Sequence, residues 1–200
     1  MTTRTNVTAV TLMAIALMVS GCARSPRVSF YTLAPGVASQ APVPGETAPS
    51  IVVGPVTVPE VVDRPQLVVR AGENRVDVLE SHRWAEPLKS EIPRVMAQEL
   101  GRVLGSGRVA TYRENAGTDA EYRVLVDITR LELFPGDAVV VDANWSVRRR
   151  GGPRRSGHSL FREKVGGGGY DAMAAATGRA LAGVSGDIAR EIGAEAGVQR

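Results

Sequence analysis

Between Tyr122 and Arg149 apolar and polar residues alternate almost without a break, which restricts this stretch to a long antiparallel hairpin. In Ala138–Arg149, the residues Val139, Val141, Ala143, Trp145 and Val147 share one parity, and Asp142, Asn144, Ser146 and Arg148 share the other. In Tyr122–Phe134 the apolar set Tyr122, Val124, Val126 and Ile128 changes parity at Leu131 and Leu133, so a bulge is expected near Thr129-Arg130. Pro135-Gly136-Asp137 makes the turn. A hairpin with one polar and one apolar face needs a cover for the apolar one.

Two amphipathic segments can supply that cover. The first starts at Glu86-Pro87 and places Leu88, Ile92, Val95, Met96, Leu100, Val103 and Leu104 on one helical face, with Lys89, Glu91, Arg94, Gln98 and Arg102 off it. Pro93 is expected to kink it, and Gly105 to Gly107 to end it. The second follows the connector Gly166 to Gly169 and carries Tyr170, Met173, Ala174, Thr177, Leu181, Val184, Ile188 and Ile192 in one stripe. Further strands are expected at Val28–Leu33, Ile51–Val58, Gln66–Arg70, Arg75–Leu79, Val109–Tyr112 and Ser159–Val165, with Gly54-Pro55 marking a bulge or an edge position. The fold class that results is α/β (α+β): a single domain with a mixed, largely antiparallel sheet and two main helices packed on one face.

The N-terminus has a different character. Arg4 and the apolar run from about Val7 to Val19 precede Val19-Ser20-Gly21-Cys22, and Cys22 is the only cysteine of the 200 residues. About thirteen apolar residues give roughly 20 Å of helix, short of the ~30 Å hydrocarbon core, so this is a targeting segment and not a span. The run resembles the lipobox of bacterial lipoproteins, with Val19 where that class most often has leucine. The expected division is therefore 1–21 signal peptide, 22–50 lipidated N-terminus with a short strand and a Pro/Ala/Gly-rich loop, and 51–200 folded domain. Ala23 after Cys22 fits export to the outer membrane.

The same inventory excludes several chemistries. With no cysteine besides Cys22, neither disulfides nor a thiolate metal site is available, and two histidines, His82 and His158, do not make a histidine-rich metal centre. Nucleophile–base motifs such as Gly-x-Ser-x-Gly or His-Glu-x-x-His do not occur, so no catalytic residue is assigned and the chain is not expected to be an enzyme. The net charge of +3 is concentrated in Arg148-Arg149-Arg150-Gly151-Gly152-Pro153-Arg154-Arg155. Export argues against nucleic acid as its partner. The expectation is a solvated turn, with anionic lipid headgroups or a protein partner as the alternative.

Three segments carry a family resemblance: Val53-Gly54-Pro55-Val56-Thr57-Val58-Pro59, Asp63-Arg64-Pro65-Gln66-Leu67-Val68-Val69-Arg70 and His82-Arg83-Trp84-Ala85-Glu86-Pro87-Leu88. With Ser29-Phe30-Tyr31-Thr32-Leu33 behind the cysteine, they resemble the PqiC/YmbA-like auxiliary lipoprotein family of ABC-type transporters over about residues 28–196. The chain departs from that pattern at Val61-Val62 and in the Arg/Gly-rich stretch 148–157. The resemblance implies an outer-membrane, periplasm-facing lipoprotein of an MCE-type intermembrane lipid transport system, docking or tethering the MCE tunnel and supporting membrane integrity. A periplasm-facing lipid or solute receptor is the alternative. The implied partners are an MCE-domain protein, inner-membrane transporter subunits, outer-membrane phospholipid and a homo-oligomer. No cofactor is expected apart from covalent N-acyl (palmitate) and S-diacylglycerol lipid on Cys22.

Candidate partner-binding residues are Arg64, Arg83 and Trp84. The turn stiffened by Pro65 loses little entropy on binding. Trp84 is set against an ordinary place in the core, and Asp63 against a structural role pairing with Arg64 and fixing the turn. His82 is expected to be a surface or hydrogen-bonded strand residue.

Overall fold

The computed structural model describes residues 27–35, 48–112 and 119–197. The signal segment, Cys22 and most of the expected Pro/Ala/Gly-rich loop lie outside the described residues. Eight strands and two helices follow in the order β1 (Ser29–Tyr31), β2 (Ile51–Thr57), β3 (Gln66–Gly72), β4 (Arg75–Trp84), α1 (Leu88–Leu104), β5 (Val109–Thr111), β6 (Tyr122–Phe134), β7 (Ala138–Arg149), β8 (Arg154–Lys164) and α2 (Tyr170–Gly197). All eight strands form one mixed sheet. None of the described helices is long and apolar enough to cross a membrane.

The β6–β7 hairpin is the spine. Its antiparallel ladder runs from Tyr122↔Arg149 to Phe134↔Ala138, with a register shift between Ile128 and Arg130 where the apolar parity changes. Val139, Val141, Ala143 and Val147 are fully buried, as are Tyr122, Val124, Val126, Ile128, Leu131 and Leu133. The other edge of β6 is shared: its first half pairs in parallel with β2, and Leu133 near its end pairs with Val69 of β3. From there the sheet continues through β4 to β1 on one branch and through β2 to β5 on the other. β2 therefore has neighbours on both edges, and Gly54-Pro55 marks a bulge, seen as a register shift between Val53 and Val56.

Both helices lie on the apolar face. Leu88, Ile92, Val95, Met96 and Leu100 of α1 are buried as expected, but Val103 is exposed and Glu91, expected off the apolar face, is fully buried. The physical reason is that α1 packs on α2 as well as on the sheet, and that the Leu33 amide reaches Glu91, so Glu91, Pro93, Ala97 and Glu99 are covered too. The helix runs through Pro93 without ending. At its C-terminus Gly105, at φ 60°, closes the last turn. In α2 the expected stripe is buried from Met173 to Ile192, and Ala176, Ala180 and Ala189 are covered as well.

Three boundaries differ from the sequence expectation. Residues 29–33 belong to the fold, because β1 pairs in parallel with the end of β4 and Leu33 is buried. β4 reaches Trp84, since its polar second half is what β1 pairs with. The basic segment is not one solvated turn: β7 holds Arg148 and Arg149, β8 starts at Arg154, and only Arg150 to Pro153 connect them.

Candidate partner-binding site

Arg64, Arg83 and Trp84 lie apart in sequence, yet they line one cleft of about 400 Å³ together with Phe30, Asp63 and Pro65. Backbone bonds assemble it. The turn after β2 is closed by Val62 N–H to Pro59 O at 3.0 Å and Arg64 N–H to Val62 O at 2.9 Å. Trp84 N–H donates to Pro65 O at 2.7 Å, which fastens the turn to β4, and Ala85 N–H donates to Tyr31 O at 2.8 Å, which fastens β1 to the start of α1. In the β1–β4 ladder Phe30 stands opposite Arg83, so their side chains share a face.

Trp84 is only 4% exposed, so it is a core residue that also lines the cleft. Phe30 at the rim is 64% exposed, an unusual position for a large aromatic ring. The cleft's carboxylates are engaged: Asp63 Oδ2 meets Lys89 Nζ at 2.6 Å, and Glu86 meets Arg94 at 3.4 Å. Asp63 thus ties the turn to α1 through Lys89, where pairing with Arg64 was expected. Arg64 has no ion-pair partner among the described residues, and Arg83 has only the exposed Glu80, at 3.7 Å. The uncompensated charge at the cleft is positive.

Behind the cleft the N-terminal segment is clamped. The Leu33 amide donates to Glu91 Oε1 at 2.7 Å, and Gly178 of α2 lies so close to the Ala34 carbonyl that an added Cβ would stand 2.2 Å from its oxygen. Burial raises the Glu91 pKa against the lowering effect of the Leu33 amide and of Arg94, with Glu86 adding to the rise. On β1 the Tyr31 hydroxyl meets His82 Nδ1 at 2.7 Å, and the His82 ring sits 4.2 Å from that of Tyr170. His82 is thereby a hydrogen-bonded strand residue that joins β4 to the start of α2.

A buried indole, an exposed phenyl ring and two guanidinium groups thus line one cleft. The family model for the ABC-type transport auxiliary lipoprotein component matches residues 31–189. The chain belongs to that family. Membrane attachment and transporter subunits as partners follow at the family level. A search of curated proteins gives no match. Among solved structures, a crystal structure titled only as an uncharacterized protein superposes with a TM-score of 0.65 at 21% identity, covering 83% of this chain and 99% of that one. A Xanthomonas campestris protein of the DUF330 family does so with a TM-score of 0.57 at 18% identity, covering 80% and 92%. At such identities these structures share the fold of the auxiliary lipoprotein.

The residue that sequence reasoning did not nominate is Phe30. Its signal was its place in Ser29-Phe30-Tyr31-Thr32-Leu33, where Tyr31 and Leu33 take the inward parity and leave Phe30 pointing out.

Proposed function

We propose that this chain is the outer-membrane component of an MCE-type intermembrane lipid transport system, anchored by lipid on Cys22, and that it docks the MCE-domain protein through the Phe30–Arg64–Arg83 cleft. The observation that carries this is the cleft itself: an exposed aromatic ring and two under-compensated cations beside a buried indole, next to the segment that leads back to the cysteine. Aromatic and arginine side chains on a preorganised surface are the usual anchors of protein interfaces. Six residues lie between Cys22 and Ser29, seven steps along the chain with a reach of at most about 25 Å, so the cleft is held near the bilayer that takes the acyl chains. The filled apolar interior between sheet and helices fits an interaction module.

The test is recovery of the partner from native membranes. R64E, and more weakly R83E, are expected to lower recovery of the MCE-domain protein by about tenfold, the effect of losing one good interfacial charge contact. Outer-membrane fractionation should be unchanged in both. C22S is expected to lose that fractionation. Full partner recovery in R64E and R83E at low salt would contradict docking at the cleft, and unchanged mass and fractionation in C22S would contradict the anchor.

A further inference from the structure

On the sheet face turned away from the helices, three arginines stand side by side. Arg123 of β6 is directly opposite Arg148 of β7, and Arg148 is directly opposite Arg154 of β8. All three are exposed, and none has an ion-pair or hydrogen-bond partner for its side chain among the described residues. Of the nearby acidic groups, Glu121 holds Arg149 at 2.9 Å and Asp119 faces Arg150 at 3.6 Å, while Asp127, two rungs from Arg123 on the same face, accepts a hydrogen bond from the Thr57 hydroxyl. Like charges on directly opposed strand positions repel, so a row of three lowers the stability of the free protein.

With strands about 4.8 Å apart, the row sets three guanidinium groups across roughly 10 Å of rigid backbone. The next rung up consists of Leu125, Ser146 and Ser156, and with Arg154 these line one end of a groove of about 530 Å³ whose other end holds Asp127; Arg123 and Arg148 stand on the rung beside it. Planar, bidentate donors with hydroxyls beside them match a phosphodiester oxygen set better than a point charge would.

We infer that the Arg123–Arg148–Arg154 ladder is a binding site for the headgroup of an anionic phospholipid, with Ser146 and Ser156 as its hydroxyl neighbours. A membrane lipoprotein meets such headgroups as its commonest anion. The ladder accounts for the basic stretch that the cleft leaves unused, and it does not depend on docking at Phe30, Arg64 and Arg83.

The test is arginine labelling of the full chain by phenylglyoxal, read residue by residue by mass spectrometry in neutral maltoside micelles. Adding phosphatidylglycerol is expected to slow labelling of Arg123, Arg148 and Arg154 by at least about threefold, while Arg64, exposed and equally unpaired, serves as the internal control and keeps its rate. In R148Q, which should unfold no earlier than the parent because a repulsion is removed, Arg123 and Arg154 lose their protection, and R123Q does the same for the remaining pair. Four results would overturn the proposal: equal slowing at Arg64, equal slowing by inorganic phosphate at matched ionic strength, stronger slowing by polyglutamate, or protection that survives R148Q. The second would assign the ladder to a free anion and the third to an acidic protein surface. Since partner recovery in R64E is read at another face, the two proposals fail separately.

Discussion

Glu91 shows how one side chain couples the N-terminal segment to the core. Its carboxyl is fully buried, one oxygen accepts the Leu33 amide, and the other has no partner among the described residues. Burial holds its pKa above the ordinary carboxylate value. A folded pKa above the unfolded one means that the ionised group costs stability at neutral pH, and that this cost fades as pH falls through the folded value. E91Q keeps an oxygen for Leu33 N–H without the charge, so it is expected to raise stability by about 1 kcal/mol near pH 7, with the gain shrinking at acidic pH. Urea midpoints at neutral and acidic pH check this, and a less stable E91Q at neutral pH would contradict it. Gly178 is the other half of the clamp. G178A would drive a methyl group into the Ala34 carbonyl, at an expected cost of about 1–3 kcal/mol, with faster proteolysis of the β1 segment. An unchanged midpoint and cleavage rate would show that the segment is not held there.

At the level of elements, the sequence was most readable where one face alone is buried. The β6–β7 hairpin shows its alternation, and even its bulge, because the parity switch at Leu131 is written in the residues. The sheet-facing stripes of both helices were nearly as plain, with Val103 the exposed exception. L100A, which empties a fully buried position between α1 and the sheet, is expected to cost about 2–5 kcal/mol, read as a lower urea midpoint; an unchanged midpoint would contradict the packing. What periodicity could not show is burial from a second direction, and so Glu91 was placed off the apolar face and the burial of Glu99 went unnoticed. Glu99 accepts two bonds from Arg102, at 2.9 and 2.7 Å. The first half of β8 was hidden for another reason. Gly157 faces Trp145 so closely that a Cβ would stand 2.2 Å from the ring, and Ser159 accepts the indole N–H at 2.9 Å while donating to Asp187 of α2 at 2.6 Å. A strand whose inner side carries a glycine and a serine shows no apolar alternation.

For the whole molecule, the candidate site was legible only as three residues near a stiff turn. Their meeting in one cleft depends on β1 pairing in parallel with β4, a contact between segments some fifty residues apart that no local pattern encodes. That pairing puts Phe30 beside Arg83 and sets the cleft at the end of the chain nearest the cysteine. In the proposed role this cleft meets an MCE-domain protein. A photoreactive phenylalanine analogue in place of Phe30, irradiated in native membranes, tests it most directly, with the same analogue at Leu160, 56% exposed and on the helix-free face, as the control. The account predicts an adduct with an MCE-domain protein from position 30 and none from position 160. Adducts from position 30 with phospholipid alone, or an MCE-domain adduct from position 160 and not from 30, would contradict it.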